Sequence, residues 1–315
     1  MTTVFATVTS PIIAQHLQAL ATLDQSRVPV LRVITSLDGI DPAEVSVLHT
    51  YRPPAGVMAA LPRLRMISGA GAGVDAIISA PDLPAGVPLV RCVDAQLGTS
   101  MAQYVALMVL RHFRMLPHYE QRAREAHWDR LLMPQASAAC VGVMGLGEIG
   151  RVVVRALSAL GLPVVGWSRS GGDCEGAQAV YAGDGGLPAF LARCNYLVCV
   201  LPLTPATRGI LDADLLAQLP RGAYVINVSR GAMVRQADLI AALRSGQLSG
   251  AALDVFDTEP LPADDPWWRE PGVLVTPHIS SQPSPLTVAE QLLENIRRLE
   301  AGEALLNQVD IARGY

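Results

Sequence analysis

Short apolar runs alternate with stretches of helical spacing over the first hundred residues. Runs at 4–8, 28–33, 45–50, 66–69 and 89–93 read as strands. Proline and glycine punctuate the gaps, as at Pro53-Pro54 and across 81–88. This strand–helix rhythm predicts a parallel sheet covered on both faces.

A long helical pattern follows from 100 to about 128. Ala102, Val105, Ala106, Met108, Val109 and Leu110 make its first part apolar nearly all round. Such a helix is expected to be buried on most sides, between domains or subunits. A second strand–helix series starts at 138, with strands at 139–144, 163–168, 196–200, 223–228, 250–255 and 273–276. Six strands are the number in a complete dinucleotide-binding unit. The stretch 286–302 reads as one amphipathic helix, followed by a short tail. The fold class is α/β, with no repeats or low-complexity tracts.

At 315 residues the chain has room for two domains. Charged residues make up 17%, below the usual quarter, which excludes a largely disordered chain. A net charge of −4 creates no bulk field for nucleic acid or an anionic membrane, and neither is expected as a partner. All 24 basic residues are arginine. Schiff-base chemistry and Walker-type nucleotide sites, which need lysine, are therefore excluded, whereas anion recognition by a guanidinium fork is not. Cys92, Cys140, Cys174, Cys194 and Cys199 show no Cys-x-x-Cys spacing, so no metal site is expected, and they suit a reducing compartment. No basic residue precedes Arg27, and no apolar run approaches the ~18 residues that span a bilayer. A cytoplasmic location is expected.

The strand ending at Met144 runs into Gly145-Leu146-Gly147-Glu148-Ile149-Gly150, and a helical pattern follows up to Gly161. A G-x-G-x-x-G between strand and helix is the context in which that motif binds a dinucleotide. Gly145 permits the tight turn, Gly147 the close approach of a pyrophosphate, and Gly150 the packing of helix on strand. The helix N-terminus adds unpaired N–H groups and a partial positive charge. The next strand ends in Ser168-Arg169-Ser170. A carboxylate there would bind a ribose 2′-hydroxyl. Two hydroxyls and a guanidinium suit a 2′-phosphate instead, so NADP(H) is preferred over NAD(H).

Three further segments put polar residues just past predicted strands: Asn227-Val228-Ser229-Arg230-Gly231, Asp254-Val255-Phe256-Asp257-Thr258-Glu259-Pro260, and Thr276-Pro277-His278-Ile279-Ser280. In an open parallel sheet these positions face the ligand crevice, on the same edge as the glycine loop.

Together with Leu201-Pro202-Leu203-Thr204-Pro205-Ala206-Thr207, these segments closely resemble the D-isomer-specific 2-hydroxyacid dehydrogenases from about 138 to 280. The resemblance continues more loosely through Gly69-Ala70-Gly71-Ala72-Gly73-Val74-Asp75. Within the family the chain is most similar to the A-type glyoxylate/hydroxypyruvate reductases. It shares Gly-Ala-Gly-Val-Asp at 71–75, Trp-Ser-Arg-Ser at 167–170 and Asp-Val-Phe-x-x-Glu-Pro-Leu-Pro at 254–262.

The resemblance implies two Rossmann-like domains with parallel sheets. The dinucleotide-binding domain, 101–282, is inserted in a discontinuous substrate domain, 1–100 and 283–315, to which the last helix returns. It implies NADPH-dependent reduction of a small 2-oxo acid, hydroxypyruvate or glyoxylate, to the D-2-hydroxy acid. The roles follow the chemistry. His278 protonates the carbonyl oxygen, since an imidazole titrates near neutrality. Glu259 orients the ring and favours its protonated form. Arg230 holds the substrate carboxylate and polarises the carbonyl. By the same resemblance, the backbone N–H groups of Ala72 and Gly73 bind that carboxylate and Asp254 contacts the nicotinamide amide. Leu201, Pro202 and Thr207 line the adenosine side, with Val228 and Ser229 also beside the cofactor. Domain closure is expected, and a homodimer built on the helices near 100–128.

The chain departs from the family at Gln103, where Glu is frequent, and at Tyr51-Arg52, where the A-type reductases place Trp-His near the substrate. A phenol and a cation there favour a hydroxylated or doubly anionic substrate. The loop 280–285 is rich in Ser and Pro, and the twin Trp267-Trp268 is expected to pack. Two alternatives stand beside the leading reading: a reductase of bulkier aromatic or sugar-derived 2-oxo acids, and a dinucleotide-sensing scaffold. The complete Arg–Glu–His set argues against the scaffold.

Overall fold

Neighbouring residues of the N-terminal strands bury opposite faces of one sheet. Val4, Val47, Met66 and Val90 pack on one side, and Phe5, Leu48, Ile67 and Leu89 on the other. That is why these runs are continuously apolar. The structure is a computed structural model describing residues 1–7, 11–24 and 30–311. It divides into unit 1, Met1–Gln96 with Gln282–Tyr315, and unit 2, Leu97–Ser281.

Unit 1 is built on β1 (Thr2–Ala6), β2 (Leu31–Ile34), β3 (Val45–Thr50), β4 (Met66–Gly69) and β5 (Leu89–Val90). They form a parallel sheet in the order β2-β1-β3-β4-β5. The expected strand ends at Val8 and Val28 lie outside the described residues. Helix α1 (Pro11–Thr22) lies on one face, and α2 (Asp75–Ile78) follows the loop after β4. The chain's last helix, Pro285–Ala301, presents Ala289, Leu292 and Ile296 to the face carrying Val4 and Val47, beside Leu20 of α1. Positions three, four and seven apart form that stripe, and Gly302 stops the helix at φ 68°.

Unit 2 opens with α3 (Gln96–Phe113) and α4 (Leu116–Arg124). The single helix read over 100–128 is therefore two. Pro117, in the first turn of α4, has no N–H for the carbonyl of Phe113, and its ring would clash there. The chain breaks at Met115, φ 58°. Then come β6 (Val141–Met144), α5 (Glu148–Ala159), β7 (Val164–Ser168), β8 (Ala179–Ala182), α6 (Gly183–Leu191) and β9 (Tyr196–Cys199). The series ends with α7 (Ala213–Ala217), β10 (Ala223–Asn227), α8 (Gln236–Arg244), β11 (Leu248–Leu253) and β12 (Val273–Val275), and α9 is the Pro285–Ala301 helix of unit 1.

The sheet has seven parallel strands rather than six, in the order β12-β11-β10-β9-β6-β7-β8. The added strand is β8, a half-buried edge of Ala-Val-Tyr-Ala. Read from β8, the order is that of a doubly wound dinucleotide fold with one further strand, and it reverses between β6 and β9. Helices α3 and α5 cover one face, through Val105, Val109, Val153 and Leu157. Helices α6, α7 and α8 cover the other, through Phe190, Leu215 and Leu239, with Trp267 packed among them. Trp268 is half exposed and donates its indole N–H to the carbonyl of Pro262. Among the described residues no helix is long and apolar enough to cross a membrane.

Candidate active site

Every polar segment singled out in unit 2 leaves the carboxyl end of a strand, and the glycine loop does so at the switch point. Gly145 follows β6 with φ 113°, and a Cβ there would lie 2.8 Å from the carbonyl oxygen of Val200, just beyond β9. The two loops meet backbone to backbone, which only glycine allows. A Cβ on Gly150 would sit 1.8 Å from the Gly145 oxygen, so α5 starts pressed against the turn. At Gly147, by contrast, a Cβ would meet nothing within 4 Å. Gly147 is the N-cap of a twelve-residue helix and, like Glu148, is exposed, whereas Ile149 is half-buried. This is an open cradle in front of a helix N-terminus, and it fits a pyrophosphate. At the tip of β7, Ser168 bonds the carbonyl of Gly171, and Arg169 and Ser170 are exposed.

The neighbouring loops are braced internally. Thr207 Oγ1 donates to the carbonyl of Pro202 at 2.7 Å and accepts the amide of Thr204 at 2.8 Å, closing the turn that starts at Leu201. Ser229 donates to the carbonyl of Leu201, tying the β10 loop to the β9 loop. Both Val228 and Ser229 are buried, Val228 within the core on the α3–α5 face of the sheet. Asn227 holds the Arg230 carbonyl at 2.9 Å, and Arg230 donates from Nη1 to the Ser229 carbonyl at 2.7 Å. A Cβ on Gly231 would fall 1.9 Å from the carbonyl carbon of Phe256. The glycine after Arg230 thus lets that loop lie directly against the turn leading to Glu259.

Glu259 and His278 come together. The ring Nδ1 lies 2.9 Å from Glu259 Oε2, and Oε1 of the same carboxylate accepts the Phe256 amide at 2.9 Å. A carboxylate only accepts, so Nδ1 carries a hydrogen and Nε2 is the nitrogen that exchanges a proton. His278 has φ 56°, sparsely populated for a non-glycine residue, and its amide is held by the carbonyls of Asp254 at 2.8 Å and Thr276 at 3.1 Å.

Asp254 is 0% exposed. Oδ1 accepts the Thr276 hydroxyl at 2.5 Å and the Ile279 amide at 2.9 Å, and Oδ2 accepts the Ser280 amide at 2.8 Å. These three bonds tie the carboxylate to the His278 loop. Two residues that sequence reasoning did not single out join this network. Tyr104 of α3 lies 2.6 Å from the Thr276 hydroxyl, and Ser100 donates to the Ser280 carbonyl at 3.4 Å. Gln103, the departure noted in the sequence, is exposed.

In unit 1 the loop Ala70–Val74 leaves β4 beside β3. The Ala70 amide bonds the Thr50 carbonyl at 2.9 Å, and the Cys92 amide bonds the Gly71 carbonyl at 3.0 Å. A Cβ on Gly71 would touch the Tyr51 ring at 3.4 Å. Tyr51, Arg52, Ala72 and Gly73 are all half-buried at this carboxyl edge. Among the described residues no group of three or more His, Cys, Asp or Glu is placed to hold a metal ion.

The model of the D-isomer specific 2-hydroxyacid dehydrogenase NAD binding domain matches residues 106–280. The glyoxylate/hydroxypyruvate reductase A of Yersinia enterocolitica is 38% identical over 297 residues, which are 92% of this chain and 94% of that protein. Solved structures of relatives cover the whole chain. The D-isomer specific 2-hydroxyacid dehydrogenase of Xanthobacter autotrophicus Py2, in complex with NADPH and MES, is 43% identical, with a TM-score of 0.84 over 100% of this chain and 99% of that one. The NADPH-dependent glyoxylate/hydroxypyruvate reductase of Sinorhizobium meliloti, in complex with NADP and sulfate, is 36% identical, with a TM-score of 0.89 over 100% of both. The chain belongs to the D-isomer specific 2-hydroxyacid dehydrogenase family.

Proposed function

We propose that the protein reduces a small 2-oxo acid, hydroxypyruvate or glyoxylate, to the D-2-hydroxy acid with NADPH. The observation that carries this reading is the 2.9 Å pairing of His278 Nδ1 with Glu259 Oε2 on the sheet edge that bears the glycine cradle. NADPH supplies the hydride, and one proton completes the alcohol. Gly147 and the α5 N-terminus take the pyrophosphate, Ser168, Arg169 and Ser170 take the 2′-phosphate, and the 201–207 and 228–229 loops wall the site. His278 Nε2 delivers the proton to the carbonyl oxygen as charge develops there. Glu259 keeps the ring in the donating tautomer. The Arg230 guanidinium neutralises the substrate carboxylate and polarises the carbonyl. Ala72 and Gly73 offer backbone N–H groups to that carboxylate, and Tyr51 and Arg52 set which side chains the acid carries. On this reading the unit split separates a dinucleotide domain, 101–282, from a substrate domain, 1–100 and 283–315.

The test is the loss of NADPH absorbance with hydroxypyruvate, glyoxylate, phenylpyruvate and a dicarboxylic 2-oxo acid, with NADH run in parallel. The highest kcat/KM is expected for hydroxypyruvate or glyoxylate with NADPH. A ranking led by the aromatic acid overturns the substrate class, and binding of NADPH without turnover on any acid overturns the reaction.

The homodimer implied by the resemblance is supported by Trp128 and Leu132, 95% and 97% exposed beyond a helix with no buried residue. Covering them with a second copy takes them out of water. Sedimentation velocity should give twice the chain mass for the wild type and the single mass for Leu132→Asp. The five cysteines are free thiols, which suits the cytoplasm.

A further inference from the structure

We propose that Tyr104 and Thr276 are positioning residues for His278, acting through the Asp254 carboxylate. This rests on the reading of His278 as the proton donor. The chain of bonds has one direction. A carboxylate oxygen only accepts, so the Thr276 hydroxyl donates to Asp254 Oδ1 at 2.5 Å, and its oxygen is left to accept from Tyr104 Oη at 2.6 Å. Burial pushes the Tyr104 phenol well above its ordinary range, so it keeps the proton it donates.

Asp254, fed from this side, holds the loop at four points. Its two carboxylate oxygens take the amides of Ile279 and Ser280 and the Thr276 hydroxyl, and its carbonyl takes the His278 amide. Those are the contacts that keep His278 at φ 56°, a conformation that a β-carbon makes costly and that packing must enforce. Helix α3 supplies the brace along one face. Leu97 accepts the Ser281 hydroxyl at 2.8 Å, Ser100 donates to the Ser280 carbonyl at 3.4 Å, and Tyr104 reaches Thr276, three and seven positions on from Leu97. Proton donation tolerates little displacement of the ring, so a brace of this kind acts on turnover rather than on binding.

The experiment is steady-state kinetics of Tyr104→Phe, Thr276→Ser, Thr276→Val and His278→Ala, and of Tyr104→Phe combined with His278→Ala. Tyr104→Phe should lower kcat roughly ten-fold, with both KM values within about two-fold and the thermal midpoint within a few degrees. Thr276→Ser keeps both bonds and should retain activity, whereas Thr276→Val should lose it. In the His278→Ala background Tyr104→Phe should cost nothing further, because it acts through that ring. An unchanged kcat in Tyr104→Phe, or a full additional loss in the combined variant, overturns the inference while leaving the proposed reaction intact. Undiminished turnover in His278→Ala would instead overturn the role given to that residue.

Discussion

Glu259 spans two partners: one oxygen lies 2.9 Å from Nδ1 of His278, and the other accepts the backbone amide of Phe256 at 2.9 Å. A carboxamide has one oxygen and cannot accept from both. Glu259→Gln should fold normally and lose kcat by roughly 10- to 100-fold, because either the ring or the turn loses its acceptor. His278→Ala should lose on the order of 100-fold or more. Both variants should still bind NADPH, measured by quenching of protein fluorescence. A Glu259→Gln enzyme with wild-type kcat would remove the carboxylate from the mechanism.

Gly147 and Gly150 make a matched pair of tests. A methyl on Gly150 meets the Gly145 carbonyl at 1.8 Å and must force α5 away from β6. A methyl on Gly147 meets no protein atom within 4 Å, in the open space that the proposed reading gives to the pyrophosphate. Gly147→Ala should therefore keep the wild-type thermal midpoint and raise Kd for NADPH by about ten-fold, whereas Gly150→Ala should lower stability as well. Equal melting losses in the two variants would contradict this division.

Arg169 is exposed at the tip of β7, between Ser168 and Ser170. A guanidinium there can fork onto a 2′-phosphate, whereas NADH offers only a hydroxyl. Arg169→Asp should raise KM for NADPH by on the order of 100-fold and leave KM for NADH within a few-fold. Parallel increases for both coenzymes would show that Arg169 does not distinguish them.

How much of this was legible depended on whether a residue's reason is local. Gly145 is required by its own turn, at φ 113°, and Gly150 by its approach to the Gly145 carbonyl, and the strand–loop–helix order around them is visible in the string. The break at Met115 also had a visible cause in Pro117, outweighed by the apolar run before it. Strand β8 was not legible, since Ala-Val-Tyr-Ala is short and half-buried at a sheet edge. Nor was side-chain direction past a strand end. Ser229 stands at the crevice edge in sequence, yet its hydroxyl turns back to the Leu201 carbonyl. Tyr104 and Thr276 lie 172 positions apart, and no spacing rule joins them.

Two histidines that the sequence did not mark predict the acid response of unit 1. His16 of α1 and His49 of β3 are buried, with His16 Nδ1 3.3 Å from His49 Nε2 and His49 Nδ1 3.1 Å from the Ser68 hydroxyl. Burial lowers His16 to about 4, and burial together with the charge of its neighbour lowers His49 to about 3. Both are neutral in the fold at pH 7. Below about 6.5 the unfolded chain takes up protons that the fold refuses, so stability falls as pH falls through the window from about 6.5 towards 4 and 3. By pH 5 the loss is roughly 2 kcal/mol for each histidine. Burial also lowers His112 in unit 2, which adds to the same trend, whereas Glu294, lowered to about 2 by Arg297 and Arg298, responds only below about 4.5. Urea midpoints at pH 7 and pH 5 separate these contributions. The wild type should lose stability between the two, and His16→Gln/His49→Gln should lose distinctly less. An identical drop in both proteins would show that the buried pair does not set the acid response.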